Sequence, residues 1–304
     1  MSEFSDFYTW SHALYHLTPE DELRMSRYLS DTACDAAGEI VNPECEAMND
    51  KTWLGTKLPE RMLVDDLGTI NDGVVDGDPD DMVVIKPSDG TQGDGVVLAH
   101  ASNIPELLND GYFNQGKHVI TRWHEAHPTI SRIWPQSSNS MRIMTYVHEG
   151  EPVLLAAVHK WGSPRSGFTD NWTKGGYTTL IMNGMLGMTH EDFSTLEQRA
   201  GRGSRHAPIN NHMVHYTRHP DSGRQIYGEM LPFWDETVQM VLHAADIVNP
   251  EITYVGWDVI ITKEGPRIIE GNPQPGVQLI QNHIPLLGDQ DFRDFLYCND
   301  VPGL

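Results

Sequence analysis

The sequence predicts an α+β protein, and three observations lead to that fold class. Short apolar runs, separated by glycine-rich loops or tight turns, indicate pairs of strands over residues 82–99, 139–161 and 257–272. Residues 233–248 instead carry apolar side chains at helical spacing. With 39% hydrophobic and 21% charged residues, the 304-residue chain has the composition of a globular protein with a core.

The charge and the cysteines exclude several classes of function. The net charge is −22, from 43 acidic against 21 basic side chains, so the protein repels nucleic acid and anionic membranes, and neither is expected as a partner. A nucleotide site in such a chain must build its own positive patch. The three cysteines, Cys34, Cys45 and Cys298, lack C-x-x-C spacing, which argues against disulfides and structural zinc. Without a signal-peptide pattern or a long apolar run, we expect a cytoplasmic protein.

The chain divides by composition into a short N-terminal region and a larger domain. Residues 1–80 are predicted to be a short, mainly helical region, because Thr18-Pro19 is a helix-start signal. A Gly-, Asp- and Pro-rich segment at residues 66–81 predicts a surface loop and a boundary near residue 80. The domain over residues 81–304 is predicted to contain strands at 82–86, 96–99 and 117–123, a short helix at 103–110, strand pairs at 139–161 and 257–272, and a helix at 233–248. Residues 163–225 look irregular, but a structureless loop of about 60 residues is unusual in a compact domain, so this stretch is expected to carry short elements whose positions the sequence does not indicate.

The strand pair over residues 257–272 forms a hairpin with carboxylates on one face. A three-residue turn at residues 263–265 would place Asp258 opposite Glu270, with Asn272 on the same face. Two opposed carboxylates repel, and a divalent cation removes that conflict. The oxygen-only donor set suits Mg²⁺ or Mn²⁺ together with a phosphate ligand. On spacing alone, an exposed face with solvated acids fits equally well, and the register could slip by one residue.

A glycine-rich loop follows the first strand of the domain. Lys86 ends that strand, and the next nine residues include Gly90, Gly93 and Gly95. Glycine lets backbone N–H groups approach phosphate oxygens, and the lysine adds a point charge. The loop is neither a Walker A motif nor a dinucleotide fingerprint. Without further context, an ordinary surface hairpin loop explains it as well.

Other polar groups are weaker candidates. Arg142 could clamp a phosphate and Asn139 could bind a metal or a phosphate, although a salt bridge on a strand face explains the arginine equally well. The polar stretch Asp170-Asn171-Trp172 could be a lid or a surface loop. The 15 histidines show no metal-binding spacing, and no G-x-S-x-G motif indicates a serine nucleophile.

The order of these features resembles the ATP-grasp superfamily, and most closely its sugar-transfer associated or alpha-L-glutamate ligase-like branch. The resemblance covers roughly residues 82–281, and its most specific part is Gly256-Trp257-Asp258 followed by Glu270-Gly271-Asn272. The other residues that carry it are Val83–Pro87, Ser138–Thr145, Asp170-Asn171 with Gly175-Gly176, and His219–Gly223.

The resemblance implies an ATP-grasp fold, in which two antiparallel α+β subdomains grip the nucleotide. The lid subdomain would span about residues 81–122, and the metal and acceptor subdomain about 123–304. It also implies roles for the candidate residues. The ATP-binding residues would be Lys86, Asp89, Gly90, Thr91, Gly93, Gly95, Thr121, Trp123 and Asn139; the Mg²⁺ ligands would be Asp258, Glu270 and Asn272; and the phosphoryl group and acyl phosphate would be stabilised by Arg142 and Lys160.

The function implied by the resemblance is ATP-dependent ligation of a carboxylate and an amine. ATP would phosphorylate the carboxylate of a small molecule or peptide, an amine would attack the acyl phosphate, and ADP and phosphate would leave. Two alternatives stay open: an ATP-grasp kinase acting on a small molecule, and a non-catalytic nucleotide-binding partner protein. The sequence also leaves a homodimer open.

Overall fold

The protein is described from a computed structural model. The structure describes residues 17, 21, 25, 47–48, 50, 52–64, 66–69, 78–88, 95–109, 118–191, 215–249, 251–273, 275–299 and 301. The strands of these residues form two antiparallel sheets, one of four strands and one of seven, which confirms the predicted α+β class. No helix among them is long and apolar enough to cross a membrane.

The smaller sheet has the strand order β1-β4-β2-β3. Its strands are β1 (Asp66–Thr69), β2 (Met82–Pro87), β3 (Val97–His100) and β4 (His118–Arg122). Side chains alternate between the faces of a strand, so Val83 and Ile85 of β2 enter a small core with Ile104 at the start of helix α2 (Ile104–Asn109). Lys86 therefore belongs to the opposite face.

The prediction of a surface loop over residues 66–81 is wrong at its start, where β1 lies. Thr69 pairs with Val119, and Asp66 pairs with Thr121. The segment Asp-Leu-Gly-Thr has a low intrinsic preference for strand structure. It forms a strand because β4 offers an edge to pair with, and composition carries no signal for that contact.

The larger sheet has the strand order β11-β10-β5-β6-β7-β8-β9. Its strands are β5 (Met141–His148), β6 (Glu151–Trp161), β7 (Tyr177–Met182), β8 (Met185–Glu191), β9 (His215–Tyr216), β10 (Tyr254–Thr262) and β11 (Gly265–Asn272). The remaining named helices are α1 (Trp53–Lys57), α3 (Pro128–Ser131), α4 (Trp234–Val248), α5 (Gln278–Gln281) and α6 (Gln290–Cys298).

Helix α4 covers one face of the larger sheet and confirms the helix predicted at 233–248. Its buried positions are Thr237, Val241, Ala244, Ala245 and Val248, which fall on one stripe at helical spacing. The four apolar ones pack in the same core as the fully buried Trp161 and Trp257. The opposite face of β5, β6 and β10 is therefore free to pack against the C-terminal helices and to carry polar side chains.

That opposite face changes from apolar to polar along three adjacent strands. At one end, its side chains pack with Phe292 and Phe295 of α6; they include Met144 and Tyr146 of β5, Val158 of β6 and Tyr254 of β10. Two residues further along β5 and β6, and four along β10, the same face carries Arg142, Lys160 and Asp258. Because the side-chain period is two, these charged groups project together at one end of the sheet.

The β10–β11 hairpin has the predicted pairing but a different turn. The turn has two residues, since Thr262 pairs with Gly265, so the predicted three-residue turn is wrong. That change shifts the register by one residue. A bulge next to Asp258 shifts it back, and Asp258 pairs with Glu270 as predicted.

A further hairpin, β7–β8, lies inside the stretch from 163 to 225, where short elements were expected but not placed. Met182 pairs with Met185 across the two residues Asn183 and Gly184, whose φ angles are 48° and 80°. The hairpin is one of the short elements that this stretch was expected to carry, and Asn-Gly is a strong signal for this type of turn that could have placed it. Residues 192–214 lie outside the described residues.

The chain crosses between the two sheets at two places. At the first, the Val64 N–H donates to Ile268 O at 3.0 Å on the larger sheet, and Asp66 already pairs with β4 of the smaller sheet. At the second, the Trp123 N–H donates to Met82 O at 2.9 Å, and the His127 N–H donates to Ile261 O at 2.7 Å. Each of these two connecting segments is therefore hydrogen-bonded to one sheet at its first residue and to the other sheet at its last residue.

Candidate active site

A cavity of about 720 Å³ lies between the two sheets. The smaller sheet contributes Val84, Lys86 and Thr121, and the linker after β4 contributes Trp123. The larger sheet and its loops contribute a mainly polar set: Ser138, Ser140, Arg142, Lys160, Asp170, Asp258, Glu270 and Asn272. The cavity therefore brings together eight of the fourteen residues predicted for the site.

Asp258 is the centre of a buried ion cluster at the polar end of the larger sheet. Arg142 Nε donates to its Oδ1 at 2.7 Å, and Arg142 Nη2 donates to its Oδ2 at 3.2 Å. Lys160 Nζ lies 3.2 Å from the same Oδ2. Arg142 and Asp258 are direct partners across β5 and β10, so the sheet register itself sets this contact.

The charges of this cluster depend on one another. Burial alone would raise the pKa of the Asp258 carboxyl, but Arg142 and Lys160 outweigh burial and hold that pKa well below its usual range. Burial likewise opposes the charge of Arg142, yet the nearby carboxyls of Asp258 and Glu270 raise the pKa of its guanidinium. Both groups are therefore ionised at neutral pH.

A second buried carboxylate, Asp170, adjoins the cluster. Its Oδ1 lies 3.8 Å from Lys160 Nζ. Its Oδ2 accepts a hydrogen bond from Ser138 Oγ at 3.2 Å and another from the Ser140 N–H. In the sequence, Asp170 belongs to a polar stretch and to the segments that carry the family resemblance, without a predicted role.

Asp258, Glu270 and Asn272 fit a magnesium site. Asp258 and Glu270 are direct cross-strand partners, and Asn272 follows Glu270 by two residues on β11. The Asn272 Nδ2 donates to Gly256 O at 3.1 Å, which fixes the amide and leaves its Oδ1 as an acceptor. Among the described residues, no group of three or more His, Cys, Asp and Glu forms a metal centre. The oxygen-only set suits a metal that also binds phosphate.

The nucleotide-binding residues predicted on the smaller sheet are partly described. Lys86 is buried and lines the cavity from β2, and Thr121 is buried and lines it from β4. Trp123 also lines the cavity, and its ring meets Phe168 edge-on at 6.4 Å between centroids. Gly95 has a φ of 69°, and a Cβ there would come within 2.9 Å of Pro87. The next residue, Val96, lines the cavity, whereas Gly95 does not.

Four predicted phosphate contacts lie outside the described residues: Asp89, Gly90, Thr91 and Gly93. The prediction for this part of the glycine-rich loop therefore stays a prediction.

Asn139 is not among the residues that line the cavity. It is buried with a φ of 48°, and its Nδ2 donates to Ser137 O at 3.0 Å and to Trp134 O. Its Oδ1 accepts from Ser137 Oγ at 2.9 Å and from the Gly162 N–H at 3.2 Å. The amide thus connects the segment that precedes β5 to the residue that follows β6.

The sequence matches the family model for sugar-transfer associated ATP-grasp proteins over residues 100–289, well over half of the chain. The chain belongs to the sugar-transfer associated ATP-grasp family. Its two antiparallel sheets with a cavity between them are the ATP-grasp fold that the resemblance implied.

Solved structures similar to this ATP-grasp chain have low sequence identity. A structure of the ATP-grasp ligase PsnB with a minimal precursor is 13% identical, with a TM-score of 0.44, covering 87% of this chain and 65% of that one. An L-amino acid ligase from Bacillus licheniformis is 14% identical, with a TM-score of 0.44, covering 84% and 48%. This chain thus spans less than two-thirds of either structure's length. The search of curated proteins found no match.

The segment His219–Gly223, which belongs to the ATP-grasp resemblance, lies at a position that the sequence did not indicate. The buried His219 ring stacks on Trp134 at 4.8 Å between centroids, and its Nε2 lies 2.9 Å from Gly162 O. The backbone N–H groups of Asp221 and Ser222 donate to its Nδ1 at 3.3 Å each. Burial lowers the pKa of His219, so the neutral ring anchors the chain just beyond Lys160.

Proposed function

We propose that this ATP-grasp protein is an ATP-dependent carboxylate–amine ligase. The observation that carries the proposal is the gathering of Lys86, Arg142 and Lys160 around one cavity beside Asp258 and Glu270. In a chain of net charge −22, the cavity lining carries four cations, counting Arg122, against three carboxylates, counting Asp170, and this local excess of positive charge supports a nucleotide site. ATP and Mg²⁺ are the proposed cofactors, with Mn²⁺ as a substitute metal.

The chain's own residues would act mainly through position and charge. Lys86 would bind ATP phosphates from the smaller sheet, and Thr121 and Trp123 would contact adenine. Arg142 and Lys160 would stabilise the negative charge that develops as a substrate carboxylate oxygen attacks the γ-phosphorus and ADP leaves. They would stay beside the acyl phosphate while an amine nitrogen attacks its carbonyl carbon and phosphate departs. The two sheets would exclude water from this intermediate.

Asp258, Glu270 and Asn272 would hold the magnesium ion. When bound, magnesium would supply positive charge next to the transferring phosphate. The substrates we propose are a small-molecule or peptide carboxylate and an amine, and the proposed location is the cytoplasm, where ATP and magnesium are available.

The first test is calorimetry of ADP binding, with and without Mg²⁺, in wild type and Glu270→Ala. We expect micromolar binding that requires magnesium in wild type and falls at least tenfold in the variant, because one metal ligand is missing. Glu264→Ala removes an exposed carboxylate at the other end of the same hairpin and is the matched control. Equal affinity in wild type and Glu270→Ala would contradict the proposed site.

A product assay separates the ligase from its alternatives. Wild type would be incubated with Mg·ATP, a panel of carboxylic acids and a panel of amino acids as amines. ADP, phosphate and an amide product would support the ligase. A stable phosphorylated product would instead support the kinase, and binding of Mg·ATP without ADP formation would support the non-catalytic alternative.

A further inference from the structure

Lys160 lies between two buried carboxylates that belong to different parts of the chain. Its Nζ is 3.2 Å from Asp258 Oδ2 on β10 and 3.8 Å from Asp170 Oδ1 in the loop after β6. All three side chains are about nine-tenths buried, with exposed fractions between 8% and 11%. Charges at this depth are screened little by water, so each contact has a large effect on where the ammonium sits.

Asp258 is already crowded with cations. Arg142 donates to both of its oxygens, and Lys160 shares one of them. A divalent ion bound to Asp258, as proposed above, would be a third cation on one carboxylate. Coulomb repulsion would then drive Lys160 from Asp258. Among the ion pairs formed by the described residues, Asp170 is the other acidic contact of Lys160.

Asp170 is fixed in a way that leaves one oxygen directed at Lys160. Its Oδ2 accepts from Ser138 Oγ and from the Ser140 N–H, and Oδ1 is the oxygen nearest Lys160. The Ser140 carbonyl in turn accepts from the Lys160 backbone N–H at 2.7 Å. The carboxylate and the lysine backbone are therefore tied to the same residue, and their separation is set by the fold.

We propose that Asp170 is a positioning residue that receives Lys160 when magnesium takes Asp258. The ammonium then moves between two carboxylates within the cavity and does not lose its partner. This inference rests on the proposed function, because it needs the metal at Asp258. It assigns Asp170 a role in coupling magnesium binding to the placement of the lysine that faces the phosphoryl group.

The test compares ADP affinity with Mg²⁺ and with chelator in wild type and Asp170→Asn. Asparagine keeps an oxygen to accept from Ser138 and Ser140, but it loses the charge that attracts Lys160. We expect Mg·ADP affinity to fall roughly tenfold, the effect of losing one charge-assisted contact, while affinity for magnesium-free ADP changes by less than about twofold. Glu229→Gln, which removes the partner of the exposed Arg132, is the matched control.

A double-mutant cycle identifies the lysine as the intermediary. In a Lys160→Met background, Asp170→Asn should change Mg·ADP affinity by less than about twofold, because the group on which Asp170 acts is gone. The chain has seven lysines, so [ε-¹³C]lysine NMR can follow Lys160 directly, with its signal assigned by its loss in Lys160→Met. Mg·ADP should shift this signal in wild type, and to a different position in Asp170→Asn.

The outcomes distinguish this inference from the proposed function. Equal losses of affinity with and without magnesium, or an undiminished loss in the Lys160→Met background, would overturn the role of Asp170. An unchanged Lys160 signal in wild type saturated with Mg·ADP would also overturn it, and that measurement needs no folded Asp170 variant. A wild type whose ADP affinity does not depend on magnesium would instead overturn the metal site itself.

Discussion

At the scale of the single residue, Asn139 illustrates a side chain whose type indicates one role and whose environment indicates another. Asparagine is a common ligand for metals and phosphates, and its place three residues before Arg142 fits the family pattern. Its backbone is left-handed, with a φ of 48°. Its side-chain amide instead makes four hydrogen bonds, to the neighbouring backbone and to Ser137, and these use both the nitrogen and the oxygen. Such saturation depends on backbone atoms of Trp134 and Gly162, which sequence spacing does not bring together.

We predict that Asn139→Ala lowers the free energy of unfolding by about 3 kcal/mol, because buried partners lose their hydrogen bonds and alanine resists a left-handed backbone. Asn183→Ala is the control, since Asn183 has the same φ of 48° at an exposed turn. It should lose about 1 kcal/mol from the backbone effect alone. Urea denaturation measures both. A comparable loss in the two variants would mean that the Asn139 amide contributes little.

Residue types predicted the charged groups of the site better than they predicted how those groups interact. Arg142, Lys160 and Asp258 lie on the same face of three strands of one sheet, close to one another along the strand direction, so period-two alternation and the family order place them together. Asp170 lies in a loop, where no period applies. Its contact with Lys160 depends on the two serines that hold it, and a sequence shows neither of those contacts.

At the scale of the element, two hairpin turns of the larger sheet offer a direct test of how glycine position determines stability. Gly150, between β5 and β6, has a φ of 85° and open space where a Cβ would lie, whereas at Gly184 a Cβ would come within 2.9 Å of the Trp234 ring. We predict a loss of about 1 kcal/mol for Gly150→Ala from backbone strain, and about 3 kcal/mol for Gly184→Ala from strain plus overlap. Thermal denaturation would compare them, and equal losses would contradict the importance of Trp234.

Secondary-structure elements were predicted correctly where the local sequence signal was strong. The wrong predictions have physical causes. The helix at 233–248 was predictable because an amphipathic stripe is a property of the segment itself. The turn at 263–265 was not, because turn length and a bulge near Asp258 compensate each other within one hairpin. Strand β1 was not predicted either, since a neighbouring strand and not its own residues stabilises it.

At the scale of the whole molecule, buried histidines should make stability depend on pH. Burial lowers the pKa of His159 to about 3, lowers the pKa of His219, and lowers the pKa of His283 well below its usual value. The unfolded chain binds these protons near pH 6.5, so the stability contributed by the neutral rings is present above pH 6.5. It is lost as the pH falls from there towards the folded values.

We therefore expect the free energy of unfolding to fall below pH 6.5 by about 1.4 kcal/mol per pH unit for each histidine that stays neutral. Urea denaturation at pH 7.5, 6.5 and 5.5 would measure the slope. His283→Gln should reduce it, since one of the three rings with a lowered pKa is removed, and His243→Gln on the exposed side of α4 should not. A slope that neither variant changes would contradict the assignment to buried rings.

The two crossings between the sheets also determine how the molecule can move. Residues 64 and 66 are held to different sheets only two peptide steps apart, a reach of about 7 Å at full extension, and residues 123 and 127 form the second attachment. A rigid body attached at two points can turn only about the line that joins them. The smaller sheet should therefore rotate about the axis through the two attachments. The distance between the two sheets should increase most at the cavity edge farthest from that axis.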